Sequence, residues 1–196
     1  MITSLQMLDL EKVYSYADYI TWRFSERVEL LKGYIFKMAA PTPTHQRILV
    51  RLLKNFSIFF DKQSCEVFVA PFDVRLYNRK KSILTDKEVY TVVQPDICVI
   101  CDKNKIDNKG CNGSPELIIE ILSPSNSKTD LKDKFALYQE TGVQEYWIVY
   151  PEYQIIHQYF LEEERYVFKG VFTKDEKISP ILFADLEIDL NEVFDF

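Results

Sequence analysis

Nowhere does this 196-residue chain run apolar for the roughly 18 positions that a membrane-spanning helix demands, so no membrane segment is expected. The opening residues, Met1 to Asp9, carry no basic stretch ahead of their apolar ones, and they do not read as a secretory signal. Positive charge is scarce as well. Its 24 Lys and Arg stand against 30 Asp and Glu, for a net charge of −6. Such a chain does not wrap nucleic acid over its whole surface, because that affinity comes largely from Lys and Arg on phosphate. A local basic patch beside an acidic, cation-loaded site stays compatible with this balance. Histidine is limited to His45 and His157, and C-x-x-C occurs once, at Cys98 and Cys101. A structural zinc site wants four nitrogen and sulfur ligands. The run Asp96 to Cys101 also reads as a strand, on which positions three apart face opposite ways. Zinc and dithiol chemistry are therefore set aside. The four cysteines (Cys65, Cys98, Cys101 and Cys111) are expected as reduced, mostly buried thiols in a cytoplasmic protein. Repeats, low-complexity tracts and linkers are missing too, which points to a single domain over 1–196. That length suffices to bury about 70% of the surface exposed by the unfolded chain.

What is present is an alternation of short elements. Residues 12–24 read as a short helix, and 27–38 as two strands joined at Gly33. Leu49, Leu52, Leu53, Phe56 and Phe60 share one helical face, which predicts a helix capped by Thr44 and running to about Lys62. Strands are expected at 67–69 and 72–76. Residues 78–93 read as a polar excursion and 102–114 as a loop. Glu116 to Leu122 is almost continuously apolar, the pattern of a strand covered on both faces. A helix from about Lys128 to Glu140 is stopped by Gly142. A strand at 145–150, a hairpin of 154–161 with 164–172, and a short tail element from Ile178 complete the chain. The fold class is thus mixed α/β: a mixed central sheet flanked by helices, with additional antiparallel strands.

Within that pattern two acids stand out. Glu120 lies inside an apolar strand between Ile119 and Ile121, where an unpaired carboxylate is costly and must find a cation or stay protonated. A solvent-facing edge or a buried ion pair are the plainer readings. Asp96 follows Pro95 at a strand start, 24 positions earlier. Neighbouring strands can bring the two carboxylates to one end of a sheet, a ligand set that suits Mg²⁺ or Mn²⁺ together with water and phosphate oxygens. Gln94, beside the Pro-Asp pair, can reach such a site. His45, near the start of the long helix, can bind phosphate or cap the helix. Asp73 reads as part of a solvated strand face, and Arg79-Lys80-Lys81 as a solvated loop with the option of a DNA-backbone contact.

The order of these blocks resembles a known family. Val28-Glu29-Leu30-Leu31-Lys32-Gly33, Met38 to Gln46, Val93-Gln94-Pro95-Asp96, Ile119 to Ser125 and Gly142 to Trp147 together are similar to the Uma-type restriction endonuclease family of the PD-(D/E)xK nuclease superfamily. The resemblance covers about 14–150. It implies a restriction-endonuclease-like core and a hydrolase that cuts DNA phosphodiester bonds with Mg²⁺ or Mn²⁺. Asp96 and Glu120 would be metal ligands, and Glu29, at the family's acidic position near the N-terminus, a further one, direct or through water. A homodimer is the simplest way to cut both strands.

One position departs from the superfamily pattern: its lysine, two residues after the acid, is Leu122 here. Leu122 can neither neutralise phosphate nor orient water. Lys134 is the expected substitute. At about 100° per residue it lies about 60° from Leu131, bordering the core face of the following helix, where a long side chain can bury its stem and reach a strand end. Lys132 is aimed less well, Lys128 sits at the helix start, and an Asp130–Lys134 pair is the plainer reading for Lys134. The alternative function is a catalytically impaired relative that binds nucleic acid or a protein partner; a different metal-dependent hydrolase or a structural module is a more distant one.

Overall fold

In the computed structural model the described residues are 2–77, 85–123 and 130–196, with the side chains of Asp130 and Leu131 left aside. The basic run Arg79-Lys80-Lys81, the Ser127 helix start and Lys128 lie outside the described residues.

Fourteen strands form two six-stranded sheets and a small ribbon among those residues. The first sheet begins with β1 (Val28–Leu31) and β2 (Tyr34–Lys37), paired antiparallel. Lys32 and Gly33 turn between them with φ of 53° and 88°. Two consecutive positive φ values are what a two-residue hairpin turn with the right twist needs, and a Cβ on Gly33 would stand 2.4 Å from Val13 Cγ1. β4 (Val74–Leu76), β5 (Thr91–Val93), β7 (Ile106–Asp107) and β8 (Gly110–Asn112) complete this sheet in the order β2-β1-β5-β4-β8-β7. β5 corrects the reading of 78–93 as wholly polar excursion, since Val92 and Val93 are fully buried. The β7–β8 hairpin likewise replaces part of the loop expected at 102–114.

The second sheet has the order β12-β11-β10-β9-β6-β3. Its members are β3 (Glu66–Val69), β6 (Ile97–Ile100), β9 (Leu117–Ile121), β10 (Glu145–Tyr150), β11 (Ile155–Glu162) and β12 (Arg165–Thr173). β9 and β10 run parallel, while β6 pairs antiparallel with β9. Both faces of β9 are covered, as its unbroken apolar run requires. Ile119 and Ile121 join Leu52, Phe56 and Phe60 of helix α2 (Pro43–Phe60) in one core. Ile118 and Leu122 join Leu137 and Tyr138 of helix α3 (Phe135–Thr141), together with Leu31, Val74 and Val93 from the first sheet. The first sheet therefore packs on the α3 side of the second. A third cluster, around Tyr14, Tyr16, Trp22, Val28 and Leu30, covers its far face.

Several local expectations shift. Thr42, not Thr44, caps α2: its Oγ1 accepts from the His45 backbone N–H, and Pro43 takes the first helical position, where its missing N–H costs nothing. The helix expected over 12–24 contracts to α1 (Tyr16–Tyr19). A single π-helical turn, Asp130–Lys134, precedes α3, and Gly142 ends α3 in the left-handed conformation with φ of 90°. Cys65 and Cys101 are joined in a disulfide, which corrects the expectation of four reduced thiols; Cys98 and Cys111 are free and buried. Cys98 and Cys101 do point to opposite sides of their strand, into the α3-side and α2-side cores. The tail forms the β13 (Lys177–Ile178) and β14 (Ile188–Asp189) ribbon and helix α4 (Leu190–Phe194).

Candidate active site

Register brings the two acids together. Ile97 pairs with Ile119 across the antiparallel β6–β9 ladder, so Asp96, one residue earlier, comes opposite Glu120. Asp96 is held by its Oδ2, which accepts from the Ile121 backbone N–H at 2.8 Å and faces His45 Nε2 at 3.1 Å. An ionised carboxylate only accepts, so His45 carries its proton on Nε2 in this pair. His45 is 5% exposed, and its Nδ1 has no hydrogen-bond partner among the described residues. The ring is thus neither a phosphate ligand here nor a cap. It stands in the first turn of α2 and orients Asp96.

Glu120 alternates with Ile119 and Ile121, which face α2, so its side chain falls on the α3 side. Glu29 alternates with Val28 and Leu30, which face the third cluster, so it points from the first sheet toward the same place. Lys134 enters between them. Its Nζ lies 3.0 Å from Glu120 Oε1 and 3.1 Å from Glu29 Oε1, and all three side chains are about 5% exposed. The Tyr138 hydroxyl, one helical turn further along, donates to Glu120 Oε1 at 2.6 Å. Burial, and then the Glu120 charge, push the Tyr138 hydroxyl far above its ordinary range, which keeps it a donor. The Gln94 backbone N–H donates to Glu29 Oε1 at 2.8 Å. Glu120 is therefore not the lone buried acid that its strand suggested. It is ion-paired, and the plainer reading of a buried pair describes this structure.

Glu29, His45, Gln94, Asp96, Glu120 and Lys134 all line one cavity of about 260 Å³, together with Arg27 and Lys37. Every sequence-predicted site residue is thus gathered in one place. Sequence reasoning missed three more. Tyr138 sits four residues after Lys134, a spacing that places both on one helical face. Arg27 donates to Gln94 Oε1 from Nη2 at 2.8 Å. Asp73 accepts from Gln94 Nε2 at 2.9 Å and from the Tyr16 and Tyr19 hydroxyls, so it is no solvated strand acid. Nothing in the local sequence marks Arg27 or Asp73, because their partners are distant along the chain.

The donor set bears on which cation could be held. Among the described residues no three His, Cys, Asp or Glu side chains are gathered as a metal-holding group. Asp96 and Glu120, on a cavity with room for water, match instead the one or two carboxylates plus waters that Mg²⁺ takes. Asp96 Oδ1 makes no hydrogen bond among the described residues, which leaves it open to a cation.

A mixed sheet flanked by helices, with β9 and β10 parallel inside it, is of the restriction-endonuclease-like fold class. The chain belongs to the Uma2 family: the family model, described as "Putative restriction endonuclease", matches residues 16–191. Two Synechocystis proteins are similar to it. Uncharacterized protein slr1290 is 30% identical over 67% of this chain and 66% of its own length, and uncharacterized protein sll1609 is 27% identical over 70% and 75%. A crystal structure of a "putative nuclease belonging to DUF820" from Anabaena variabilis shares the fold, with a TM-score of 0.72 over 92% of this chain and 97% of that one, at 18% identity. Among the described residues no helix is long and apolar enough to cross a membrane.

Proposed function

We propose that this protein is an endonuclease that hydrolyses DNA phosphodiester bonds with the help of Mg²⁺ or Mn²⁺. One observation carries the reading. The lysine missing at Leu122 is replaced in space by Lys134, whose ammonium sits 3.0 Å from Glu120 in the cavity that Asp96 also lines. When bound, the divalent ion supplies Lewis acidity and lowers the pKa of its water. The protein's own groups do the rest. Asp96 and Glu120 would hold the ion. His45 and the Ile121 N–H fix the orientation of Asp96, and Tyr138 fixes that of Glu120. The Lys134 ammonium offsets the charge that grows on the phosphate as water attacks, the kind of preorganised stabilisation worth about 3–4 kcal/mol per donor in enzymes. Glu29 anchors Lys134 and is available to a water of the ion. Arg27 and Lys37, exposed on the cavity rim, suit phosphate contacts that an acidic chain must concentrate locally. A homodimer would place two such sites on the two strands of a duplex.

Plasmid nicking with Mg²⁺ or Mn²⁺, beside an Asp96→Ala control, tests the proposal. Metal-dependent nicking that vanishes in the variant is the expected result. No nicking by the intact protein with either metal refutes it. One observation favours the second reading, a nuclease-fold protein that binds without cutting: the Lys134 ammonium is already ion-paired with both Glu29 and Glu120. Metal-independent DNA binding without cleavage would be its signature.

A further inference from the structure

A second cleft, of about 460 Å³, adjoins the acidic cavity. Gln94 and Arg27 line both spaces, so these two side chains stand in the wall between them. Gln94 spans that wall: its Oε1 accepts from Arg27, and its Nε2 donates to Asp73 Oδ1 and to the Tyr19 hydroxyl. The cleft is built from aromatic rings. Tyr19 and Phe24 flank Trp22, with ring centroids 5.5 and 5.7 Å from it, and the Trp22–Phe24 planes lie 25° apart. Tyr19 and Phe24 are only partly buried, which leaves ring surface for a ligand. The Trp22 indole N–H has no acceptor among the described residues. The rim carries the exposed cations Arg23, Arg27 and Lys109. Neither Arg23 nor Arg27 is paired to a carboxylate among the described residues: Arg23 donates to the Ile20 and Trp22 carbonyls. Lys109 is ion-paired with Asp86.

We infer that this cleft takes an unpaired nucleobase of the strand whose phosphate lies in the acidic cavity, so that the substrate class is DNA with a single-stranded or extruded nucleotide. The inference rests on the nuclease reading. Size separates the two spaces: the smaller suits a phosphate with its waters, whereas the larger falls within the roughly 300–1,000 Å³ of small-molecule pockets. Aromatic faces bind bases of any sequence by stacking, while cations track the backbone. A paired base keeps its faces covered by its neighbours in the stack and cannot enter such a cleft without being extruded.

The test uses single-stranded DNA oligonucleotides carrying one 2-aminopurine, whose fluorescence is quenched on stacking, and the same sequence as a perfect duplex. Binding is measured in EDTA, where the proposed chemistry is off, and cleavage of the same molecules with Mn²⁺. The intact protein is expected to quench the single strand and to bind it at least about tenfold more tightly than the duplex. Phe24→Ala should weaken single-strand binding by roughly tenfold, with the duplex unmoved. Phe24→Leu keeps apolar volume without a ring face; it should melt near the intact protein and still lose the same affinity. Equal binding of single strand and duplex, absence of quenching, or Phe24→Leu binding like the intact protein overturns the base cleft. Cleavage without quenching sinks the cleft and spares the nuclease reading. Quenching without cleavage does the reverse.

Discussion

Replacing Lys134 by Met should unfold the metal-free protein far more readily than replacing Glu120 by Gln. Glu29 Oε1 and Glu120 Oε1 both lie within 3.1 Å of one ammonium nitrogen, so they are no more than about 6 Å apart. Without the ammonium, two carboxylates at that separation repel by at least about 3 kcal/mol at an effective dielectric constant of 20. Their burial adds to that, and breaking a buried pair by removing one partner typically costs about 3–5 kcal/mol. Methionine keeps much of the side-chain length, so the loss reports charge rather than a cavity. Glu120→Gln is different in sign of charge. It removes one of two acids sharing a single lysine, the Lys134–Glu29 pair survives, and the amide oxygen still accepts from Tyr138. Its cost should stay below about 1 kcal/mol, the net worth of one ordinary hydrogen bond. Urea unfolding in EDTA at pH 7 measures both. A second arm adds Mn²⁺, which should recover part of the Lys134→Met loss, because a cation between the acids replaces the missing charge. Lys134→Met unfolding at the urea midpoint of the intact protein would refute the electrostatic account, and so would Glu120→Gln proving the more damaging change.

Three further outcomes follow from the same geometry. Calorimetric titration with Mn²⁺ should show binding that Asp96→Asn severely weakens, with the fold retained; unchanged binding would remove Asp96 from the metal site. Tyr138→Phe leaves Glu120 without its hydroxyl donor and should cost about 1–3 kcal/mol in thermal or urea unfolding, with single-turnover cleavage slowed because the carboxylate is no longer fixed in orientation. His157 packs among Tyr150, Tyr159 and Phe168, and burial holds its pKa below the usual histidine value. A depressed histidine pKa means that the unfolded state binds the proton first, so its stabilising effect is complete above about pH 6.5 and is lost as pH falls through the folded value. The intact protein should accordingly lose stability relative to His157→Phe as pH falls below about 6.5, and parallel pH profiles for the two would refute the assignment.

Much of this was legible in the chain because it is local. The apolar run at Leu117–Ile121 with one acid in it marks a covered strand and the residue that needs a partner. The phase of the helix after it places Lys134 at the border of the core face, and Gly142 marks where that helix must end. The chain offers two threonines around Pro43, and only its path decides that Thr42 caps the helix. Val92 and Val93 were hidden inside a polar stretch, since a three-residue strand has too few positions to display a period.

The sequence by itself determined which residues are chemically out of place: acids beside isoleucines, and a lysine on the edge of an apolar stripe. It also determined the family, because five ordered blocks resemble one pattern over most of the chain. Only the tertiary structure decided what those residues face. Lys134 is shared by Glu120 and by Glu29, 105 positions away, and that contact exists because two sheets pack face to face across α3. The partner of Asp96 is a histidine from the opposite helix. Cys65 meets Cys101, and Asp73 ends among tyrosines. Periodicity fixes which face a side chain takes on its own element. The element that covers that face is chosen by packing between segments far apart along the chain, and the local pattern carries no record of it.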